Sequence, residues 1–158
     1  MAFRQLGFAG LGACLLLLTG CADTLQAIPR QIVIQQVWTL EPGKWVGGHR
    51  VTAGLGDISL ALGNPTLVAP FPGQVELAAQ GVNCIYFSTP DIPAYLFRYC
   101  GVRHPQVGWR QPGQPMGRSQ YLHFATLRRQ PNGTWAIVEP SDQVLEKSLN
   151  PPPSRFRR

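Results

Sequence analysis

Two strand-like segments, each with a cysteine at one end, constrain the fold of this chain most strongly. Residues 83–88 and 95–100 alternate polar and apolar side chains, and a turn containing two prolines separates them. If Cys84 faces Cys100, Tyr86 faces Arg98, Ser88 faces Leu96, and the opposite face collects Ile85, Phe87, Phe97 and Tyr99. The pattern predicts an antiparallel hairpin closed by a structural disulfide. A redox or metal role for the pair is the alternative, but the spacing is not that of a CxxC motif.

The rest of the chain predicts more strands and little helix. It holds 17 glycines and 15 prolines, so periodic segments are short and closely punctuated by turns. Asn132-Gly133 is a strong hairpin-turn signal, and Ser141 can cap one short helix ending at Leu149. We therefore expect a compact, all-β, antiparallel sandwich or barrel-like domain with one short C-terminal helix. The strand-like segments outside the hairpin are residues 32–40, 57–62, 66–77, 107–109, 121–127 and 134–138.

The N-terminus has the pattern of an export signal. Arg4 precedes an apolar run over residues 6–18, which is shorter than the roughly 20 residues that a membrane-spanning helix needs. The next residues complete the sequence Leu18-Thr19-Gly20-Cys21, which resembles the lipobox of bacterial lipoproteins. The resemblance implies cleavage before Cys21 and a lipid on its thiol. The alternative is a general secretory signal that happens to contain a cysteine.

This signal sets the compartment and the domain boundaries. Removal of residues 1–20 takes Cys14 away, so Cys84 and Cys100 are the even pair left for an oxidising environment. Permanent attachment to a membrane through acyl chains follows from the lipidation of Cys21. We divide the chain into a signal peptide (1–20), a lipidated tether with a leading strand (21–44), a β domain (45–149) and a disordered basic tail (150–158).

Charge is unevenly distributed along the chain. The net charge is +6, and residues 92–138 contain no aspartate or glutamate. Such a segment favours an electropositive surface for carboxylates or phosphates, because the guanidinium group binds both through paired hydrogen bonds. The alternative is an ordinary solvated surface, and the expected location disfavours a nucleic-acid partner. The arginines of this segment are Arg98, Arg103, Arg110, Arg118, Arg128 and Arg129.

An ordered series of short motifs resembles the lysostaphin/LytM-type zinc peptidase domain over residues 45–149. Ala-Pro-x-x-Gly-x-Val also occurs in biotinyl and lipoyl carriers, but neither Lys44 nor Lys147 lies at the hairpin tip that a carrier requires. The resemblance implies a β fold with a peptide-binding groove. Its motifs are Gly56-Asp57-Ile58, Val68-Ala69-Pro70, Gly73-Gln74-Val75, Gly113-Gln114-Pro115-Met116-Gly117, Tyr121-Leu122-His123-Phe124, Glu139-Pro140 and Val144-Leu145.

The same resemblance implies that catalysis has been lost. Peptidases of this type bind zinc through two histidines and an aspartate, and an open position holds the attacking water. Asp57 and His123 occupy two ligand positions, whereas Ala53 occupies the third. Gly101 and Tyr121 stand where the family has its two further catalytic histidines. We expect a non-catalytic protein without a cofactor. The alternative is a rearranged zinc site completed by His49 or His104.

The sequence thus predicts a lipid-anchored protein of the bacterial cell envelope that faces the periplasm or the exterior. Zinc-free members of the family bind or regulate during peptidoglycan remodelling, so peptidoglycan or a cell-wall hydrolase is the expected partner. Tyr121, Arg98 and Arg118 are the candidate groove residues, with Asp57 and His123 as remnants of the metal site. An active zinc endopeptidase and a purely structural envelope lipoprotein are the two alternatives.

Overall fold

The computed structural model describes residue 27 and residues 29–34 and 38–150. The predicted signal peptide, Cys21 and residues 151–158 lie outside this part. Its elements, in chain order, are β1 (Ile32–Ile34), β2 (Trp45–Val46), β3 (His49–Gly54), β4 (Ile58–Ala61), β5 (Thr66–Val68), β6 (Gly73–Leu77), β7 (Ile85–Ser88), β8 (Tyr95–Arg103), β9 (Gly108–Arg110), β10 (Pro115–Arg129), β11 (Trp135–Val138) and α1 (Asp142–Leu149). The prediction of an all-β protein with one short helix is confirmed for these residues.

The long strand β10 organises the sheet. One of its edges pairs with β8, and the other pairs successively with β5, β4 and β11. The path β2-β3-β4-β10-β8-β7-β6-β9 ends in two free edges, so the sheet is open and not closed into a barrel. All pairs are antiparallel except β1 with β11, which run parallel.

The β7–β8 hairpin forms with the predicted register. Tyr86 lies opposite Arg98, Phe87 lies opposite Phe97, and Cys84 is disulfide-bonded to Cys100. The apolar side chains of one hairpin face are buried in the main core, as the alternation predicts. The prediction of a structural hairpin with a disulfide is therefore confirmed.

The main core fills the space between one face of the sheet and helix α1. The rings of Phe97 and Phe124 stack with centroids 6.2 Å apart, and Tyr99 meets Phe124 edge-on at 5.0 Å. Ser141 caps the helix as predicted, because its side chain accepts a hydrogen bond from the Val144 amide. The core residues on the helix are Val144, Leu145 and Leu149, and the Ser148 hydroxyl is hydrogen-bonded to that of Tyr99 at 2.8 Å.

A smaller core lies on the opposite face of the sheet, where the N-terminal segment crosses it. Tyr86 and Leu96 are buried there with Ile32 packed against this cluster. Arg30 fixes the segment, since its guanidinium binds the Glu76 carboxylate at 2.6 Å and lies 4.2 Å from the centre of the Tyr86 ring. A residue of the predicted tether, Arg30, is thus attached to the sheet.

Several element boundaries differ from the prediction. The segment 32–40 is a strand only over Ile32–Ile34, and residues 38–40 are irregular. The segment 66–77 is two strands, because Pro70 and Pro72 interrupt it between β5 and β6. His49, named above as an alternative metal ligand, is the first residue of strand β3. Within the part of the chain that the structure describes, no helix is long and apolar enough to span a bilayer.

Candidate functional site

A row of cross-strand neighbours forms the centre of the candidate site. Ala53 on β3 lies opposite Ser59 on β4, and Ser59 lies opposite His123 on β10. His123 in turn lies opposite Cys100 on β8. Since adjacent strands are about 4.8 Å apart, this row crosses four strands in roughly 15 Å. This row therefore contains three positions that were singled out from the sequence: Ala53, His123 and Cys100.

An open groove of about 610 Å³ lies at one end of this row, where His123 and Cys100 line it. The loop before β7, the second half of β8 and the middle of β10 form its walls, and the disulfide lies in its lining. Tyr121 and Val82, which are 62% and 80% exposed, present large apolar side chains at the groove. The lining residues are Asp57, Gly81, Val82, Asn83, Cys84, Arg98, Cys100, Gly101, Arg103, Gln120, Tyr121 and His123.

Five residues were predicted from the sequence as groove residues or as remnants of a metal site, and four of them line this groove. Asp57, Arg98, Tyr121 and His123 lie together in its lining. Arg118 does not line the groove, and its guanidinium donates to the Asn64 carbonyl at 2.9 Å.

The second arginine of the groove is Arg103, which the sequence analysis mentioned only as part of the basic segment. Gly101 has a φ of +76°, and the pairing of β8 with β10 shifts register between Ser119 and His123. This bulge breaks the simple alternation along β8, so counting alternate residues from Arg98 does not identify Arg103. A glycine inside an otherwise alternating strand was the available signal of the bulge.

Asp57 and Arg98 form the charged pair of the groove. Nη2 of Arg98 lies 3.4 Å from Oδ2 of Asp57, a long contact, and the two side chains are 15% and 25% exposed. Burial raises the pKa of the Asp57 carboxyl above its ordinary value, an effect larger than the opposing influence of Arg98 and His123. Nε of Arg98 is buried and has no hydrogen-bond partner, so one donor of this guanidinium is unsatisfied.

His123 is engaged by a serine that the sequence analysis did not identify. Oγ of Ser59 lies 2.7 Å from Nδ1 of His123, across the β4–β10 pair. The side chains meet because the two residues are directly opposed in the ladder. One ring nitrogen of His123 is thereby already hydrogen-bonded.

The residues of the groove do not fit a catalytic zinc ion. Asp57 is paired with a guanidinium, and one nitrogen of His123 is bonded to a hydroxyl. Nearby guanidinium groups also oppose the binding of a dication. Within the described ranges, no three histidine, cysteine, aspartate or glutamate side chains lie close enough together to hold a metal. His49 and His104, the alternative ligands, are not among the residues that line the groove.

Gly101 leaves no space for a side chain at the position where the resemblance implies a catalytic histidine. A Cβ atom there lies 2.1 Å from the Tyr121 carbonyl oxygen, far inside van der Waals contact. Its positive φ is also unfavourable for residues other than glycine. Gly81 is similarly confined, because a Cβ atom added there would lie 2.5 Å from Sγ of Cys84. The loop that forms one wall of the groove therefore packs directly on the disulfide.

Comparison with protein-family models, with curated proteins and with solved structures finds no match to this chain. The LytM-type resemblance therefore depends on the sequence motifs alone.

Proposed function

We propose that this chain is a lipid-anchored cell-envelope protein whose LytM-like domain binds peptidoglycan, or a cell-wall hydrolase, without cleaving it. The supporting observation is the groove over the former ligand positions. Asp57 and His123 remain side by side in its lining, but Arg98 and Ser59 occupy them, and Ala53 supplies no third ligand. A zinc-bound water requires three protein ligands and an open position, so these residues are suited to binding and not to hydrolysis.

The chemistry of the groove favours a peptide that carries carboxylates. Arg98 and Arg103 both line the groove, and Nη2 of Arg103 donates to Oδ1 of Asn64 at 2.8 Å. Guanidinium groups bind carboxylates with two parallel hydrogen bonds, and such charge-assisted bonds are stronger than neutral ones. The exposed ring of Tyr121 offers a flat apolar surface beside them. Stem peptides of peptidoglycan, which present several carboxylates, match this combination, as does an acidic segment of a partner protein.

The principal experiment measures binding of the mature protein to purified sacculi and to a cell-wall amidase. We expect micromolar affinity for one of them, weakened about tenfold or more by Arg98→Gln and by Tyr121→Ala. Trp109→Ala is the matched control, because Trp109 is also a large, half-exposed aromatic residue but lies on the edge strand β9 outside the groove lining. The absence of binding to both sacculi and amidase contradicts the proposal.

Zinc analysis and turnover separate the proposal from its catalytic alternative. The proposal expects little zinc in the purified protein and no release of muropeptides from sacculi. Near-stoichiometric zinc, together with a peptidase activity that disappears in His123→Ala, overturns it. Crosslinking in membranes that captures only a partner unrelated to the wall supports the structural alternative instead.

The anchor is tested separately. Cys21→Ser removes the thiol that accepts the lipid, so we expect the protein to move from the membrane fraction to the soluble fraction. Retention of the unsubstituted protein in the soluble fraction excludes lipidation and leaves the groove proposal to be judged by its own binding experiment.

A further inference from the structure

An exposed aliphatic side chain stands at the tip of the β3–β4 turn. Leu55 is 95% exposed and lies between Gly54 and Gly56. On the neighbouring strand β1, Ile34 and Val33 are 64% and 45% exposed. Single exposed apolar residues are common and need no explanation, so the question is whether these three belong to one surface.

Two of the three residues, Ile34 and Leu55, belong to one continuous apolar surface, whereas Val33 does not line it. A Cβ atom at Gly56 lies 3.3 Å from Cδ1 of Ile34, so the Ile34 side chain rests against the backbone of the turn. Ile34 and Leu55 also line the same cleft of about 460 Å³. Its other lining residues are Trp38, Leu40, Glu41, Pro42, Gly54 and Gly56, among which Glu41 is the one charged residue. Contiguous apolar surface of this kind marks a site of interaction.

The course of the chain indicates what covers this surface. Arg30 is fixed to the sheet, and β1 begins two residues later. Cys21 precedes Arg30 by nine residues, which span at most about 30 Å when fully extended. A lipid on Cys21 therefore keeps Arg30, two residues before β1, within about 30 Å of the bilayer.

We propose that Ile34 and Leu55 form a membrane-contacting surface that inserts between lipid headgroups. This inference rests on the proposed lipidation of Cys21. The lipid chains attach the protein to the bilayer. The aliphatic side chains orient the domain there, because their transfer from water to the headgroup region is favourable. Asp57 follows Leu55 by two residues, so the groove opens next to the membrane surface. The ligand or partner is then recognised at the membrane and not at a distance from it.

A lipid-quenching experiment on the lipidated protein tests the orientation. Leu55→Cys is labelled with a nitrobenzoxadiazole dye, and the protein is reconstituted in phosphatidylethanolamine–phosphatidylglycerol vesicles with or without headgroup-region doxyl lipids. Gln111→Cys is the control, because it is also exposed and follows β9 at the opposite end of the sheet path. We expect the doxyl lipids to quench the dye at position 55 at least threefold more than the dye at position 111.

The outcomes distinguish this inference from the proposed function. Mass spectrometry of the same preparation establishes whether Cys21 carries lipid. A lipidated protein with equal quenching at both positions overturns the membrane-contacting surface alone. A protein without lipid overturns both the anchor and this surface, whereas binding to sacculi or amidase is unaffected. Shielding of position 55 by another protein, without lipid quenching, also contradicts the inference.

Discussion

At the scale of single residues, Gly101 restricts which side chains can line the groove. The backbone there approaches the Tyr121 carbonyl so closely that even a methyl group overlaps it. A histidine at this position therefore requires a different course of β8 as well as a new side chain.

Gly101→Ala is expected to destabilise the fold by well over about 1 kcal/mol, because it combines an unfavourable positive φ with steric overlap. Gly113→Ala is the matched control: its φ is also positive, at +81°, but no atom lies within 4 Å of the added Cβ. Urea denaturation of both variants measures the two costs. Equal losses of stability contradict the steric argument.

Asp57 is expected to make the free energy of unfolding depend on pH in a predictable direction. Burial raises the pKa of this carboxyl in the folded protein above the ordinary value of 3.8, so the folded state binds more protons than the unfolded state just above that pH. The free energy of unfolding of the unsubstituted protein should then fall, relative to Asp57→Asn, as pH rises from 3.8 through the folded-state pKa. Denaturation at several pH values checks this, with Asp91→Asn at an exposed turn position as control. A relative rise shows that pairing with Arg98 outweighs burial.

At the scale of elements, the β7–β8 hairpin is the part of the fold that local sequence determines most completely. The alternation of polar and apolar residues specifies both the disulfide and the apolar face. A shift of the strand register by one residue would move every side chain to the opposite face of the sheet. The disulfide also supports the loop that begins at Gly81, which forms a wall of the groove. The hairpin therefore contributes to stability and to the shape of the candidate site.

Replacing both cysteines, as Cys84→Ser with Cys100→Ser, should lower the free energy of unfolding by roughly 3 kcal/mol, as expected for a loop of this length. Reduction of the unsubstituted protein should cause a loss of similar size, and the double variant should be insensitive to reductant. The same variant should bind the groove ligand more weakly, because the loop loses its support. A double variant as stable as the unsubstituted protein shows that the disulfide has no structural role.

The sequence was informative about elements and less so about their connections. Helix α1 could be predicted from Ser141 because capping is a local interaction. The full length of β10 could not be predicted, because Pro115 and Gly117 are unfavourable in strands. They belong to β10 because this part of the chain pairs with β5. Ser59 at His123 was missed because the contact depends on the register between strands that are distant in sequence.

At the scale of the whole molecule, the N-terminal segment is part of the domain and not only a tether. Arg30 is 15% exposed, pairs with Glu76 and lies over Tyr86, and its carbonyl accepts a hydrogen bond from Gln80 at 2.7 Å. These contacts fix the chain immediately before β1. The attachment of the segment to the sheet therefore depends on a few polar contacts as well as on burial.

Arg30→Gln removes the ion pair and the contact with the ring, which together contribute about 1–2 kcal/mol at a partly buried position. We expect amide hydrogen exchange in β1 to become roughly tenfold faster or more, while exchange in β7 and β8 changes little. Arg50→Gln, on the exposed surface of β3, is the control. Unchanged exchange in β1 means that burial of Ile32 alone holds the strand.

The parallel pairing of β1 with β11 has a consequence for the order of assembly. Ile32 lies opposite Trp135, about 100 residues further along the chain, so this contact closes the longest loop among the strand pairs described. Strand β1 is synthesised long before β11. It pairs with β11, which in turn pairs with β10, so we expect β1 to join the sheet only after those two strands have paired. Attachment of β1 is therefore expected to be a late step of folding, after the groove residues on β4, β8 and β10 have met, because its contact requires the closure of the longest loop.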